Sequence, residues 1–210
     1  MRITDDRYLR DLRRLDLARR LIEHGARTKT IAIWTQLSPY RIRQLCRDYG
    51  CSADSRQSGV PPRSTAYFWR TPQMQIEAAS LAGICKVLGV LPRTRMAARD
   101  FTLPARGERL CQAYEAYVDS FEKPRISIEY AVLLATALAT TDDISIGKCV
   151  SCGGVVLVDL GDIVDNCCVY CAGRMPGYAR SPLSAPSTRR RRSKRLARAA
   201  GQIGKQVILL

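Results

Sequence analysis

The sequence predicts a mainly α fold: a helical body, an N-terminal unit like a helix-turn-helix, and a small C-terminal module built on four cysteines. Three observations carry this reading. Apolar residues recur at helical spacing from residue 11 to residue 139. After Gly147 the pattern changes to short β-prone runs between glycine and cysteine pairs. Two Cys-x-x-Cys pairs, Cys149/Cys152 and Cys168/Cys171, bracket that stretch. The expected organisation is residues 1–50 (helix-turn-helix-like unit), 51–146 (helical body), 147–175 (cysteine module) and 176–210, a basic tail expected to be disordered on its own.

Leu12, Leu15, Leu17, Leu21 and Ile22 fall near helical spacing, with most of the arginines at 10, 13, 14, 19 and 20 opposite them. Residues 11–24 therefore predict an amphipathic helix that Gly25 stops. His24 is expected to be exposed at its end. Residues 28–35 predict a second, short helix. Ser38 is placed as an N-cap with Pro39 at the first helical position, opening a third helix that runs to Tyr49 and closes at Gly50. Residues 51–66, rich in Ser, Gly and Pro, form a connector. Pro72 opens a long helix to Leu88, and further helices are expected at 93–101, 104–121 and 127–139. The last is nearly all apolar and predicts the buried helix of the core. Residues 155–158 are β-prone.

The net charge of +15 is segregated. Residues 1–50 carry a surplus of +6, residues 51–171 a balance of −1, and residues 172–210 a surplus of +10. Basic ends flanking a neutral middle suit a polyanion partner, because each paired phosphate releases condensed counterions. The longest apolar stretch, 131–139, is shorter than the ~20 residues a membrane span needs. No apolar leader follows Met1, so a soluble cytoplasmic protein without a membrane partner is expected. A single histidine excludes any multi-histidine site, and HExxH, GxSxG, P-loop and dinucleotide fingerprints are absent, so no enzyme is expected.

Fifteen residues, 153–167, separate the two cysteine pairs. Each pair turns tightly enough for both thiolates to reach one ion, and the separation fits a four-cysteine zinc site. Cys149, Cys152, Cys168 and Cys171 are the expected ligands of one structural Zn²⁺, with no position left open for catalysis. Cys167 is the alternative to Cys168; the matching two-residue gap favours Cys168. Cys46, Cys51, Cys85 and Cys111 are scattered and expected to pack as small apolar groups. A thiol redox switch is the rival reading of the cluster; Asp159, Asp162 and Asp165 between the pairs oppose the lowered thiol pKa it needs.

Residues 28–47 fit a helix-turn-helix, with Ala32 where the helices cross and Ile31, Leu37, Ile42 and Leu45 facing inward. Tyr40, Arg41, Arg43, Gln44 and Arg47 then face solvent as donors for bases and phosphates in a major groove. Gln36 stands where such a turn usually has glycine. Arg189, Arg190, Arg191 and Arg192 open a polycationic run expected to bind phosphates without sequence preference.

These pieces in this order resemble the C subunit of the bacterial flagellar master activator, FlhC. The residues that carry the resemblance are 21–27 (Leu-Ile-Glu-His-Gly-Ala-Arg), the turn at 35–38 with its helix through Tyr49-Gly50, the connector from Pro61-Pro62 to Phe68-Trp69, and the four cysteines. It covers roughly residues 10–175. The resemblance implies a mostly helical fold with a four-cysteine zinc site, a hetero-oligomer with an FlhD-type subunit, promoter DNA upstream of flagellar operons, and recruitment of RNA polymerase. The arginine-rich tail departs from the family. Rival functions are an RNA-binding zinc protein, a thiol redox sensor, and a scaffold without DNA contacts of its own.

Overall fold

Three helices open the chain. In the computed structural model, which describes residues 5–49, 60–94, 96, 98–141, 143–160 and 166–173, α1 spans Asp5–Glu23, α2 Thr28–Thr35 and α3 Pro39–Asp48. α1 starts earlier than residue 11 and buries Leu17, Ala18 and Leu21. It ends where Gly25 takes φ 74°, with Gly25 N–H donating to the Ile22 carbonyl and Ala26 N–H to that of Leu21. α3 starts as its sequence dictates. The Ser38 hydroxyl accepts from Arg41 N–H at 3.3 Å, and Pro39 occupies the first turn, where no donor is missed.

A 3-10 turn, Thr65–Trp69, leads into α4 (Pro72–Val87), capped by Thr71 on Met74 N–H. α5 (Ala98–Phe101), α6 (Pro104–Ser120) and α7 (Ile128–Thr140) complete the helical body. A two-stranded antiparallel hairpin, β1 (Ile144–Lys148) and β2 (Val155–Asp159), follows. The fold is thus mainly helical, with the cysteine-bearing segment attached to a small hairpin. No described residue of α7 is exposed, as its composition predicts.

One part of the core forms where α1, α2 and α6 meet. Trp34 is buried, with Phe101 edge-on to its ring at 5.4 Å. Gly107 of α6 lets the three helices close up, since a Cβ there would lie 2.7 Å from Leu17 Cδ2 and 3.1 Å from Trp34 Cε3. Two buried carboxylates serve backbone ends. Glu129 of α7 accepts from Arg27 N–H at 2.7 Å and from the Thr30 hydroxyl at 2.9 Å, capping an α2 whose own N-cap residue offers no side-chain acceptor. Glu77 of α4 accepts from the Tyr117 hydroxyl and Arg125 N–H, fixing the connector between α6 and α7.

Three expectations are corrected. The helix expected at 93–101 is confined to Ala98–Phe101 among the described residues. Met96 N–H is spent on the Ala139 carbonyl at 3.2 Å, a tertiary bond that replaces a helical one. His24 is half-buried rather than exposed: its Nε2 lies 3.0 Å from Glu115 Oε1 and its ring stands edge-on to Tyr114 at 5.2 Å. The strand β1 was not foreseen; it crosses the boundary expected at residue 147 and packs Ile144 into the core. No helix among the described residues is long and apolar enough to cross a membrane.

Candidate metal centre and basic helix face

The hairpin delivers the first cysteine pair. β1 ends at Lys148, and the chain turns back to β2 through a knuckle in which Cys149 N–H donates to the Gly154 carbonyl at 2.7 Å and Gly153 N–H to that of Cys149 at 2.9 Å. Gly153 has φ 74°, a left-handed conformation that glycine adopts without strain. The second knuckle repeats the device: Ala172 N–H bonds the Cys168 carbonyl, Gly173 N–H that of Tyr170, and Gly173 has φ 65°. Val150 N–H donates to the Asn166 carbonyl at 2.8 Å, which brings the two knuckles face to face.

The sulfurs of Cys149, Cys152, Cys168 and Cys171 all lie within 4.8 Å of one another. Cys152 Sγ and Cys168 Sγ are 3.7 Å apart, close to the ~3.8 Å edge of a tetrahedron with metal–sulfur bonds of about 2.3 Å. All described cysteines are free thiols. The four sulfurs are therefore compatible with a bound metal ion, and Cys168 rather than Cys167 belongs to the set. The Cys167 sulfur sits beside it, 3.9 Å from the Ser151 hydroxyl.

The electrostatics fit such an ion. Burial acts to raise the Cys149 thiol, but N–H groups of Cys168, Cys152 and Ser151 outweigh it and hold the thiol down at about 6. Burial raises Cys168, and hydrogen bonding to Cys168 raises Cys171. Four thiolates this close repel one another unless a cation sits among them. Cys46, Cys85 and Cys111 are buried in the body, as expected of small apolar groups, and burial pushes the Cys85 and Cys111 thiols up to about 12. Cys51 lies outside the described residues.

The second feature is α3. Tyr40, Arg41, Arg43, Gln44 and Arg47 are all exposed, while Ile42 and Cys46 are buried and Leu45 is half-buried against the core. Gln36 takes φ 58° and ψ 23°, so the turn keeps the left-handed conformation usually given to glycine. The Arg14 guanidinium holds the Gln36 side chain at 2.9 Å, a contact the sequence did not signal. Arg189, Arg190, Arg191 and Arg192 lie outside the described residues.

Sequence reasoning also missed an apolar cleft of about 930 Å³ between α4 and the hairpin. Its one sequence signal is the Ile144/Ile146 alternation, too short to mark a strand. No protein-family model matches the chain, and no curated protein matches it.

Proposed function

We propose that this chain is a zinc-stabilised, DNA-binding transcription activator of the FlhC type. It acts in the cytoplasm as a hetero-oligomer with an FlhD-type subunit, at promoters of flagellar operons, where it recruits RNA polymerase. The observation that carries the reading is the exposed face of α3, which presents Arg41, Arg43, Gln44 and Arg47 beyond a left-handed turn. A helix so placed suits a major groove: arginine reads guanine bidentately, glutamine reads adenine, and the remaining cations neutralise phosphate. Arg189, Arg190, Arg191 and Arg192 add sequence-independent phosphate contacts.

One zinc ion per chain is the metal we assign to Cys149, Cys152, Cys168 and Cys171, because two Cys-x-x-Cys knuckles forming an all-thiolate tetrahedral set suit it. Four protein ligands leave no position for substrate, so the ion's contribution is to folding. Metal analysis of the purified protein checks the assignment; a stoichiometry far below one, or iron in place of zinc, rejects it.

The decisive experiment is a footprint on a flagellar promoter at physiological salt, with the chain alone and with the FlhD-type subunit. Protection that requires the partner supports the full reading. Protection by the chain alone supports DNA reading by α3 without the partner. No sequence-dependent protection in either case rejects it. Arg43→Ala and Arg47→Ala are each expected to flatten the salt dependence of binding by about one unit if they contact phosphate.

A second reading, single-stranded RNA binding, draws on one observation. Tyr40 and Tyr49, at the two ends of α3, are 67% and 51% exposed, and exposed aromatic rings stack unpaired bases. Direct competition between duplex DNA and single-stranded RNA separates the two.

A further inference from the structure

The cleft between α4 and the hairpin has a volume of about 930 Å³. Ile76 and Gly83 of α4 form one wall, Val155 and Leu157 of β2 the other, and Trp69 also lines it. Apolar surface is left open around it: Val87 is 85% exposed and Val155 48%. Charge does not choose its occupant. Lys86 and Lys148 stand on the wall, but so do Cys152 and Cys168, and four thiolates around one divalent ion carry a net charge of about −2 that offsets the lysines. What the cleft selects is apolar surface.

The chain carries such a surface within reach. Cys168 and Tyr170 of the second knuckle line the cleft, so the chain passes Gly173 close to the cleft wall. Residues 174–195, rich in Ser, Pro and Arg, span up to about 70 Å if extended, enough to return the chain to either end of the cleft. Residues 196–210 differ in character. They hold no acidic side chain, and Leu196, Ala200, Ile203, Val207 and Leu210 recur at helical spacing with Arg198 and Lys205 opposite them. A segment this short is marginal as a helix alone, and Gly201 and Gly204 lower its propensity further, so its apolar stripe needs a surface to order it. From Ile203 to Leu210 the stripe would measure about 10 Å as a helix, against about 16 Å for the stretch of α4 on the wall, residues 76–87.

We propose that this cleft is the docking site of the chain's own residues 196–210, anchored by Ile203, Val207 and Leu210. A tethered segment competes at an effective concentration on the order of millimolar, which a free partner has to exceed. Docking closes residues 174–195 into a loop held at both ends. The run Arg189, Arg190, Arg191 and Arg192 then lies a few residues from the cleft, and its phosphate contacts gain a fixed place on the body. The cleft and the apolar stripe carry the proposal by themselves, and it stands whether or not the chain binds DNA.

The test uses the full-length, metal-loaded protein with Val207 replaced by the photo-cross-linker p-benzoylphenylalanine. Irradiation is expected to join position 207 to residues 76–87 of α4 or 155–157 of β2 within one chain, located by mass spectrometry of the digest. Acrylamide quenching gives a second readout, since Trp69 lines the cleft and the chain's other tryptophan, Trp34, is buried in the core. Each anchor is worth about tenfold in the docking equilibrium, the equivalent of ~1.5 kcal/mol of side-chain burial. The double variant Ile203→Asp, Val207→Asp should therefore expose Trp69 to the quencher, while unchanged quenching of Trp34 shows that the core is intact. A synthetic peptide of residues 196–210 should restore the shielding of that variant saturably. Arg198→Gln with Lys205→Gln, off the stripe, should leave Trp69 as shielded as in the wild type. Cross-links that fall away from the cleft, or Trp69 quenching unaltered by the aspartates, overturn the proposal. Cross-links only between chains also overturn it and assign the cleft to a second copy. Loss of shielding in the Arg198, Lys205 variant equal to that in the aspartate variant overturns it too, because charge rather than apolar contact would then hold the segment.

Discussion

Gln36 holds a left-handed backbone conformation that costs a residue with a side chain about 1 kcal/mol. Its side chain recovers part of that through Arg14. Gln36→Gly should therefore be close to neutral, while Gln36→Val, branched at Cβ, should destabilise by about 1–2 kcal/mol. Equilibrium denaturation of the two variants decides; equal stability would mean that the turn relaxes. Gly107 poses the opposite question. Alanine there gains about 1 kcal/mol in helix propensity but drives a methyl into Leu17 and Trp34. Overpacking of this kind costs roughly 1–3 kcal/mol, so Gly107→Ala should lower the melting temperature. The four cysteines were legible because ligand spacing is a local property. The tension at Gln36 was visible only as a missing glycine, because a backbone dihedral leaves no other mark in a sequence.

At the scale of elements, helix starts were legible wherever a cap or a proline marks them, as at Ser38-Pro39 and Pro72. They were not legible where a distant group acts as the cap. Glu129 sits about a hundred residues from the helix start it serves. Glu129→Ala would strand the Arg27 N–H and Thr30 hydroxyl, at a cost of about 1–3 kcal/mol. Faster amide exchange in the first turn of α2 is the check. Glu115 joins α6 to α1 through Arg20 at 2.7 Å and through His24. Burial acts to raise its carboxyl, but Arg20 and His24 outweigh it and hold the group below its ordinary 4.5. A carboxyl depressed in the folded state stabilises above the unfolded value, and that stability is lost as pH falls through the folded one. Glu115→Gln should thus narrow its stability deficit against the wild type below about pH 4.5. The pair is partly exposed, so the effect should stay under about 1 kcal/mol.

For the molecule as a whole, the metal and the apolar core have separate tasks. The core draws on α1–α7 and on Ile144, whereas the two knuckles rest on their own turns and on the four sulfurs. Removing the metal with a chelator should free residues 149–154 and 166–173 from amide protection while far-ultraviolet helicity is largely kept. Loss of the helical signal in step with the metal would show that body and module fold as one unit. The division into body and module was legible from the change of pattern after Gly147. The cleft between them was not, because a gap belongs to neither element's sequence.

Burial on α4 and α6 also makes the interior cysteines chemical clocks. Cys85 and Cys111, with thiols pushed up to about 12, are inert while the helices are closed, whereas Cys152 is exposed. A thiol reagent followed by mass spectrometry then records each opening event where it happens. If Cys85 and Cys111 are labelled at one common rate, α4 and α6 part only in a single concerted opening. If one runs ahead, that helix leaves first, and the order in which the body comes apart can be read from a single reaction tube.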